Sequence, residues 1–287
     1  MADARSAHGY HELRVKRVVD ETPDTKSFAL DVPAELADLF TYRPGQFCTF
    51  RVRIGDEQHL RSYSMSSAPE SDPDLTVTVK RVPGGLVSTW FLDSVEVGDT
   101  LELTRPAGVF CLRDSKSDPD PGSDSASDSD RPVVAFCGGS GVTPVISLIK
   151  SALLSTDRPA RVFYANRSRD SVIFADALDA LCRINPQRLE VRHHIDSEAG
   201  YPSAGQLAAF AGGGADARDG HADFYICGPA PFMTVAEGAL LGLAVRPDRI
   251  HIERFSVDPE PPGGSAAEPA AGISVTVILK GRKTEIA

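Results

Sequence analysis

The sequence predicts an all-β antiparallel barrel followed by an α/β doubly wound parallel sheet, with the start of a further β-hairpin at the C-terminal end. Three observations predict this. Apolar residues alternate at period two, in short runs, from about His11 to Leu112. From Pro132 the pattern changes to continuous apolar runs separated by helical stretches, as parallel strands buried on both faces require. The glycine-rich turn Gly138-Gly-Ser-Gly-Val-Thr-Pro144 joins the first of those runs to a helix.

Taken in order, Leu13, Val15, Val18 and Val19 belong to a first strand. Cys48, Phe50, Val52 and Ile54 alternate in Phe47 to Ile54, and Leu75, Val77 and Val79 do so in Leu75 to Val82. Leu101 and Leu103 mark another short strand, and turns such as Arg43-Pro-Gly-Gln46 and Val97-Gly-Asp99 separate the runs. Closing such a sheet on itself removes its exposed edges. Residues 114–131 are almost only Ser, Asp, Pro and Gly, with six aspartates, and read as a flexible acidic insertion. Val133-Val-Ala-Phe-Cys137 is then a buried strand, and Pro144 opens a helix carrying Val145, Leu148, Ile149, Ala152 and Leu153 on one face. Strands over Arg161 to Ala165, Leu189 to His193, Phe224 to Cys227 and Ile250 to Phe255 alternate with helices over Val172 to Leu181, Gln206 to Phe210 and Phe232 to Leu243. Asp258 to Gly272 is rich in Pro, Gly, Ala and Glu and reads as a linker; Ile273 to Leu279 and Lys283 to Ala287 look like two strands about a turn. The expected organisation is thus 8–113 barrel, 114–131 insertion, 132–258 α/β domain, 259–271 linker and 272–287 the opening of a third domain.

Composition narrows the function. A net charge of −10 argues against a general nucleic-acid binder. No apolar run approaches the length of a membrane span, and the N-terminal residues lack the apolar core of a signal peptide, so a cytoplasmic protein is expected. The five cysteines are odd in number and widely spaced, which shows neither a disulfide framework nor a metal ligand set.

Four short patterns could carry chemistry. Glycines in Gly138 to Pro144 let the backbone approach a pyrophosphate at a helix N-terminus, although Pro144 replaces the last glycine of the usual dinucleotide pattern. After the next strand, Arg167 and Arg169 in Asn166-Arg-Ser-Arg-Asp170 could pair with a 2′-phosphate, or Asp170 could bind a ribose hydroxyl, leaving NADH and NADPH both open. In Arg61-Ser-Tyr-Ser64 a cation, a flat ring and a small hydroxyl suit a phosphate, an aromatic system and a ring nitrogen; in extended backbone Arg61 and Tyr63 point one way, Ser62 and Ser64 the other. Pro83-Gly-Gly-Leu-Val-Ser-Thr-Trp90 reads either as a second phosphate cradle or as a turn capped by Ser88 with Trp90 in the core. Cys227-Gly-Pro229 ends a parallel strand, where ligands of such sheets bind. His193 and His194 read as structural.

Together these motifs resemble the ferredoxin–NADP⁺ reductase superfamily, and most closely the reductase components of bacterial multi-component oxygenases of the 3-ketosteroid 9α-hydroxylase and phenylacetyl-CoA oxygenase type. The run Tyr164-Ala-Asn-Arg-Ser-Arg-Asp-Ser-Val-Ile-Phe174 is similar to that branch. The resemblance implies an FAD-binding barrel, a nicotinamide domain and a [2Fe–2S] ferredoxin domain in that order. It implies that Arg61 meets the FAD pyrophosphate, Tyr63 stacks on the isoalloxazine, Ser62 and Ser64 line the flavin with Ser64 beside N5, and Gly84, Gly85, Leu86, Val87 and Ser88 wrap the phosphates. Gly139, Gly141, Val142, Thr143 and Pro144 match the nicotinamide-nucleotide loop, with Asn166, Arg167 and Arg169 on its adenosine side; Cys227, Gly228 and Pro229 match the segment beside the nicotinamide, and Glu253 and Phe255 the end of the domain near the flavin. Ser64, Cys227 and Glu253 are the residues expected at the reacting atoms. The sequence ends before any C-x₄-C-x₂-C ligand set, so the cluster is expected only in a full-length form and no metal site in this chain. The implied activity is hydride transfer from NAD(P)H to FAD, then single electrons to a ferredoxin serving an oxygenase. The alternatives are a flavohaemoglobin-type or free flavin reductase module, or a non-catalytic flavin-binding subunit.

Overall fold

A computed structural model describes residues 9–113, 131–212, 222–255, 275–279 and 282–286. Residues Met1–Phe255 form one compact unit and Ser256–Ala287 a second.

The first half of the larger unit is a six-stranded antiparallel sheet in the order β4-β3-β6-β1-β2-β5. Its strands are β1 (Tyr10–Thr22), β2 (Thr25–Asp31), β3 (Phe47–Ile54), β4 (Glu57–Ser64), β5 (Leu75–Lys80) and β6 (Thr100–Thr104). Leu13 and Val15, Phe28 and Leu30, Cys48, Phe50 and Val52, Leu75, Val77 and Val79, and Leu101 and Leu103 all turn inward and share one core. The sheet curls until its two edges meet at a single bridge, Met65 to Val77, so the barrel is closed at one point rather than along a full ladder. Helix α1 (Leu86–Ser94) plugs it. Phe91 on α1 stands edge-on to Phe28, Phe50 and Tyr63 at 5.4, 5.5 and 5.2 Å, the preferred geometry for aromatic pairs.

The second half is an all-parallel five-stranded sheet in the order β11-β10-β7-β8-β9, built from β7 (Val133–Gly138), β8 (Ala160–Asn166), β9 (Leu189–Ile195), β10 (Asp223–Cys227) and β11 (Ile250–Glu253). Helices α2 (Val142–Ser155) and α3 (Ala175–Ile184) contribute to the core on one face, and α5 (Ala204–Gly212) and α6 (Ala230–Gly242) to the core on the other; α4 (Asp196–Ala199) is a single turn after β9. No described helix is long and apolar enough to cross a membrane. The expected helix over Val172 to Leu181 begins later, at Ala175. A capping box between Ser168 and Ser171 closes a separate 3₁₀ turn over Arg169–Ser171, Val172 and Ile173 are buried as a tether, and Phe174 takes a left-handed φ of 61° that breaks the helical path. The last strand ends at Glu253, two residues short of Phe255.

The halves are joined through α2. Ser147 Oγ donates to the Ser67 carbonyl at 2.6 Å, Lys150 meets Asp72 at 3.0 Å, and Ser151 donates to Glu70. Beneath them the buried Arg158 donates to Asp223 at 2.6 Å and to the carbonyls of Arg113 and Arg131, while Arg249 takes the second Asp223 oxygen at 3.2 Å. In the smaller unit, β12 (Val275–Leu279) and β13 (Arg282–Ile286) pair antiparallel, with Val275 opposite Ile286. The acidic residues 114–130 and the linker region 256–274 lie outside the described residues; Arg131, at the end of the expected insertion, is buried.

Candidate functional site

The strand order reverses between β7 and β10, and in open α/β sheets ligands bind outside the carboxyl ends of strands at that point. The two loops there touch backbone to backbone. A Cβ on Gly141 would overlap the Cys227 carbonyl and stand 2.7 Å from the Gly228 nitrogen; one on Gly138 would stand 2.9 Å from Pro229 Cδ. Gly141 has ordinary helical backbone (φ −61°), so only the close approach demands glycine there. Gly139 is left-handed (φ 52°) and faces open space, leaving the first turn of α2 uncovered, with no side-chain cap on its N–H groups. Thr143 Oγ1 donates to the Ser140 carbonyl at 3.0 Å and fixes the loop, with Pro144 in the first helical turn, where no intrahelical N–H bond is lost.

Three strand ends converge beside these loops. In register, Cys227 lies opposite Cys137 on β7 and Glu253 on β11. Burial, and secondarily Glu253, pushes the Cys227 thiol well up, so it is a neutral wall and not a thiolate. Burial also raises the Glu253 carboxyl, and Phe255 packs against the same core cluster as Cys137 and Cys227. The sign of the Glu253 effect is testable. A carboxyl raised in the folded state binds its proton more tightly there than in the unfolded chain, so its contribution declines as pH rises from about 4.5 through the folded value. Glu253→Gln is expected to flatten that decline in urea unfolding midpoints measured from pH 4 to 8; an unchanged slope would count against it.

On β8, Tyr164 and Asn166 point to the same side. The Tyr164 hydroxyl donates to the Gly139 carbonyl and accepts from Ile173 N–H, both at 3.2 Å. Asn166 is 4% exposed; its amide lies beside the Tyr164 hydroxyl, with no partner at full hydrogen-bond distance. Buried polar atoms without partners are rare, and these sit one strand repeat beyond the residue holding the glycine loop. Arg167 and Arg169 follow on the surface. Arg169 makes a two-toothed pair with Glu198 at 2.7 and 2.8 Å, and Arg167 lies 3.9 Å from Asp24.

On the barrel, Tyr63 is half-buried, and burial raises its hydroxyl pKa. The alternation expected of Arg61 to Ser64 holds: Tyr63 packs inward on Phe50 and Phe91, while Ser62 shares a 2.9 Å hydrogen bond with Thr49 on the other face. Ser64 is buried and Arg61 folds back to donate to the Leu60 carbonyl. In Pro83 to Trp90 the turn capped by Ser88 is observed. Gly84 is left-handed (φ 75°) in open space, Ser88 Oγ accepts from Val82 N–H and donates to the Gly85 carbonyl, and α1 starts at Leu86 with Val87 buried and Leu86 exposed. Trp90 is half-buried against Phe91. These residues hang between β5 and α1, on the barrel alone. Ser64, by contrast, is tied to the switch point: three residues on, Ser67 is bonded to Ser147, which lies about 7.5 Å of helix rise from Val142. Sequence reasoning missed Ser67, Ser147, Cys137 and Glu198 as parts of this arrangement, because each owes its place to register or to packing between elements far apart in the chain.

Residues 11–111 match the oxidoreductase FAD-binding domain and residues 136–238 the oxidoreductase NAD-binding domain. The ferredoxin reductase component of 3-ketosteroid-9-alpha-monooxygenase from Mycolicibacterium smegmatis is 40% identical over 257 residues, covering 87% of this chain and 67% of that protein. The chain belongs to the ferredoxin–NADP⁺ reductase family. The chain is also 41% identical over 247 residues to the corresponding component from Rhodococcus rhodochrous, covering 85% of this chain and 64% of the relative, so it spans somewhat under two thirds of that length. Among solved structures the ferredoxin reductase of carbazole 1,9a-dioxygenase aligns with a TM-score of 0.66 and 26% identity, over 86% of this chain and 69% of that one. The residues present fit the family's two cofactors. Gly139 faces open space at the uncapped first turn of α2, and Gly84 faces open space before the uncapped start of α1.

Proposed function

We propose that this reductase draws electrons from NAD(P)H through FAD and hands them singly to an iron–sulfur protein serving an oxygenase. Bound FAD would supply the chemistry, accepting a hydride from the nicotinamide and releasing electrons one at a time. The observation that carries the reading is the seating of Gly141 against Cys227 on a helix that is itself bonded to the strand-end segment after Ser64.

In this reading Arg61 holds the FAD pyrophosphate, Tyr63 presents its ring to the flavin, and the N–H groups of Gly84, Gly85, Leu86, Val87 and Ser88 at the start of α1 bind the phosphates. Ser62 braces the strand against Thr49, and the Ser64 hydroxyl positions the flavin edge. Gly139, Gly141, Val142, Thr143 and Pro144 receive the nucleotide pyrophosphate, with Asn166, Arg167 and Arg169 on the adenosine side. Cys227, Gly228 and Pro229 form the wall beside the nicotinamide. Glu253, its carboxyl raised by burial, lies near the reacting edge and Phe255 covers it. A ferredoxin or oxygenase partner is supported by the names of the relatives, and a cytoplasmic setting is the one such partners favour. The β12–β13 pair is compatible with the opening of a ferredoxin-type domain.

The test is anaerobic. Purified chain should be yellow and bleach on addition of NADH or NADPH. Yellow protein that neither nucleotide bleaches would favour a non-catalytic flavin subunit. Ser64→Ala is expected to slow flavin bleaching about tenfold or more while the FAD content stays at one per chain, as for loss of a single positioning hydrogen bond. Parallel loss of FAD and rate would assign Ser64 to binding instead.

A further inference from the structure

We infer that the site selects the nicotinamide nucleotide without a 2′-phosphate, and that Glu198 sets this selection by occupying Arg169. The inference rests on the function proposed above and specifies its nucleotide. In a doubly wound sheet the adenosine ribose lies over the end of the strand that follows the first helix, which here is β8. Recognition of the 2′ position therefore falls to the residues from Asn166 onward.

A 2′-phosphate is held by a guanidinium whose donors are free to fork onto it. Both candidates already face carboxylates. Arg169 Nε and Nη2 donate to the two Glu198 oxygens at 2.7 and 2.8 Å, and Arg167 stands 3.9 Å from Asp24. An exposed pair of this kind adds little to folding stability. Its consequence is for recognition: the Nε–Nη2 edge of Arg169 is filled, and the filling group is an anion. Backbone geometry keeps it there. Ser197 N–H donates to the Arg167 carbonyl at 3.0 Å, and Gly200 N–H closes α4 onto Asp196, so the turn carrying Glu198 is fastened to the loop carrying both arginines. With Asp24 and Glu198, the neighbouring Asp170 makes three acidic groups to the two arginines, while Asp196 turns inward toward His194. A dianionic phosphate arriving there meets repulsion. A neutral 2′-hydroxyl does not.

The test uses the FAD-loaded 287-residue chain and two binding probes, 5′-AMP and 2′,5′-ADP, in isothermal titration calorimetry, with NADH and NADPH turnover on ferricyanide alongside. The unaltered chain should bind 5′-AMP at least as tightly as 2′,5′-ADP and use NADH over NADPH. Glu198→Ala should tighten 2′,5′-ADP about tenfold, the worth of one charge-assisted contact, and leave 5′-AMP unchanged. Adding Arg169→Ala should abolish that gain. Tighter binding of 2′,5′-ADP by the unaltered chain, or no response to Glu198→Ala, would overturn the inference. Selective binding without bleaching by either nucleotide would instead count against the redox function while leaving the selectivity in place.

Discussion

Replacing Gly141 by alanine is expected to lower kcat/KM for the nicotinamide nucleotide about a hundredfold while leaving FAD bound. Helical backbone at this position accepts alanine, so conformational preference is not the obstacle. Space is. The new methyl would occupy the volume of the Cys227 carbonyl, which belongs to backbone and cannot swing aside as a side-chain tip can. The loops after β7 and β10 must part, and misplacement by about 1 Å costs on the order of a hundredfold in rate. Overpacking should also remove about 1–3 kcal/mol of stability. Gly139→Ala is the informative control. It meets no atom within 4 Å but puts a Cβ on a left-handed backbone, so it should lose stability without parting the loops. Stopped-flow bleaching at the unaltered rate in Gly141→Ala would show that the loop contact does not set the site.

Asp223→Ala should be the most destabilising single substitution outside the site, at about 3–5 kcal/mol. Arg158 and Asp223 are each 1% exposed, and Arg249 on the other carboxylate oxygen is 3% exposed. Deleting the carboxylate leaves the buried Arg158 guanidinium without its counterion, and buried charge left unpaired is far costlier than the pair was worth. At roughly 2–4 °C per kcal/mol for a chain of this size, the melting temperature should drop by about 10 °C. Asp223→Asn, which keeps an acceptor but not the charge, should fall between. A loss under about 1 kcal/mol in urea unfolding would mean that the network is solvated.

Much of this fold was legible because burial wrote a period into the chain. The parallel strands β7, β8 and β10 stood out as apolar runs, and β1, β3, β5 and β6 as alternations. β2 was invisible for a physical reason. Its outward residues Thr25, Ser27 and Ala29 are buried as deeply as Phe28 and Leu30, so polarity does not alternate with direction. The helix after β8 was placed too early because Val172 and Ile173 are apolar and buried, as a helix face would be, yet serve as a tether. The glycine loops and the Arg61 to Ser64 strand end were readable as local chemistry. Pairings across distance were not. Cys137 faces Cys227 only through a register between strands some ninety residues apart, and Glu198 reaches Arg169 from a single turn too short to show a period.

One guanidinium has a further consequence. Arg158 grips the carbonyl of Arg113 and the carbonyl of Arg131, the residues on either side of the acidic stretch. The chain therefore departs from and returns to one anchored spot, and closing an interval between two such points costs an entropy that grows only with the logarithm of its length. Evolution can lengthen, shorten or rewrite that interval almost freely, and a protein engineer can splice a fluorescent reporter or an affinity handle there, with the strands on either side left as they were.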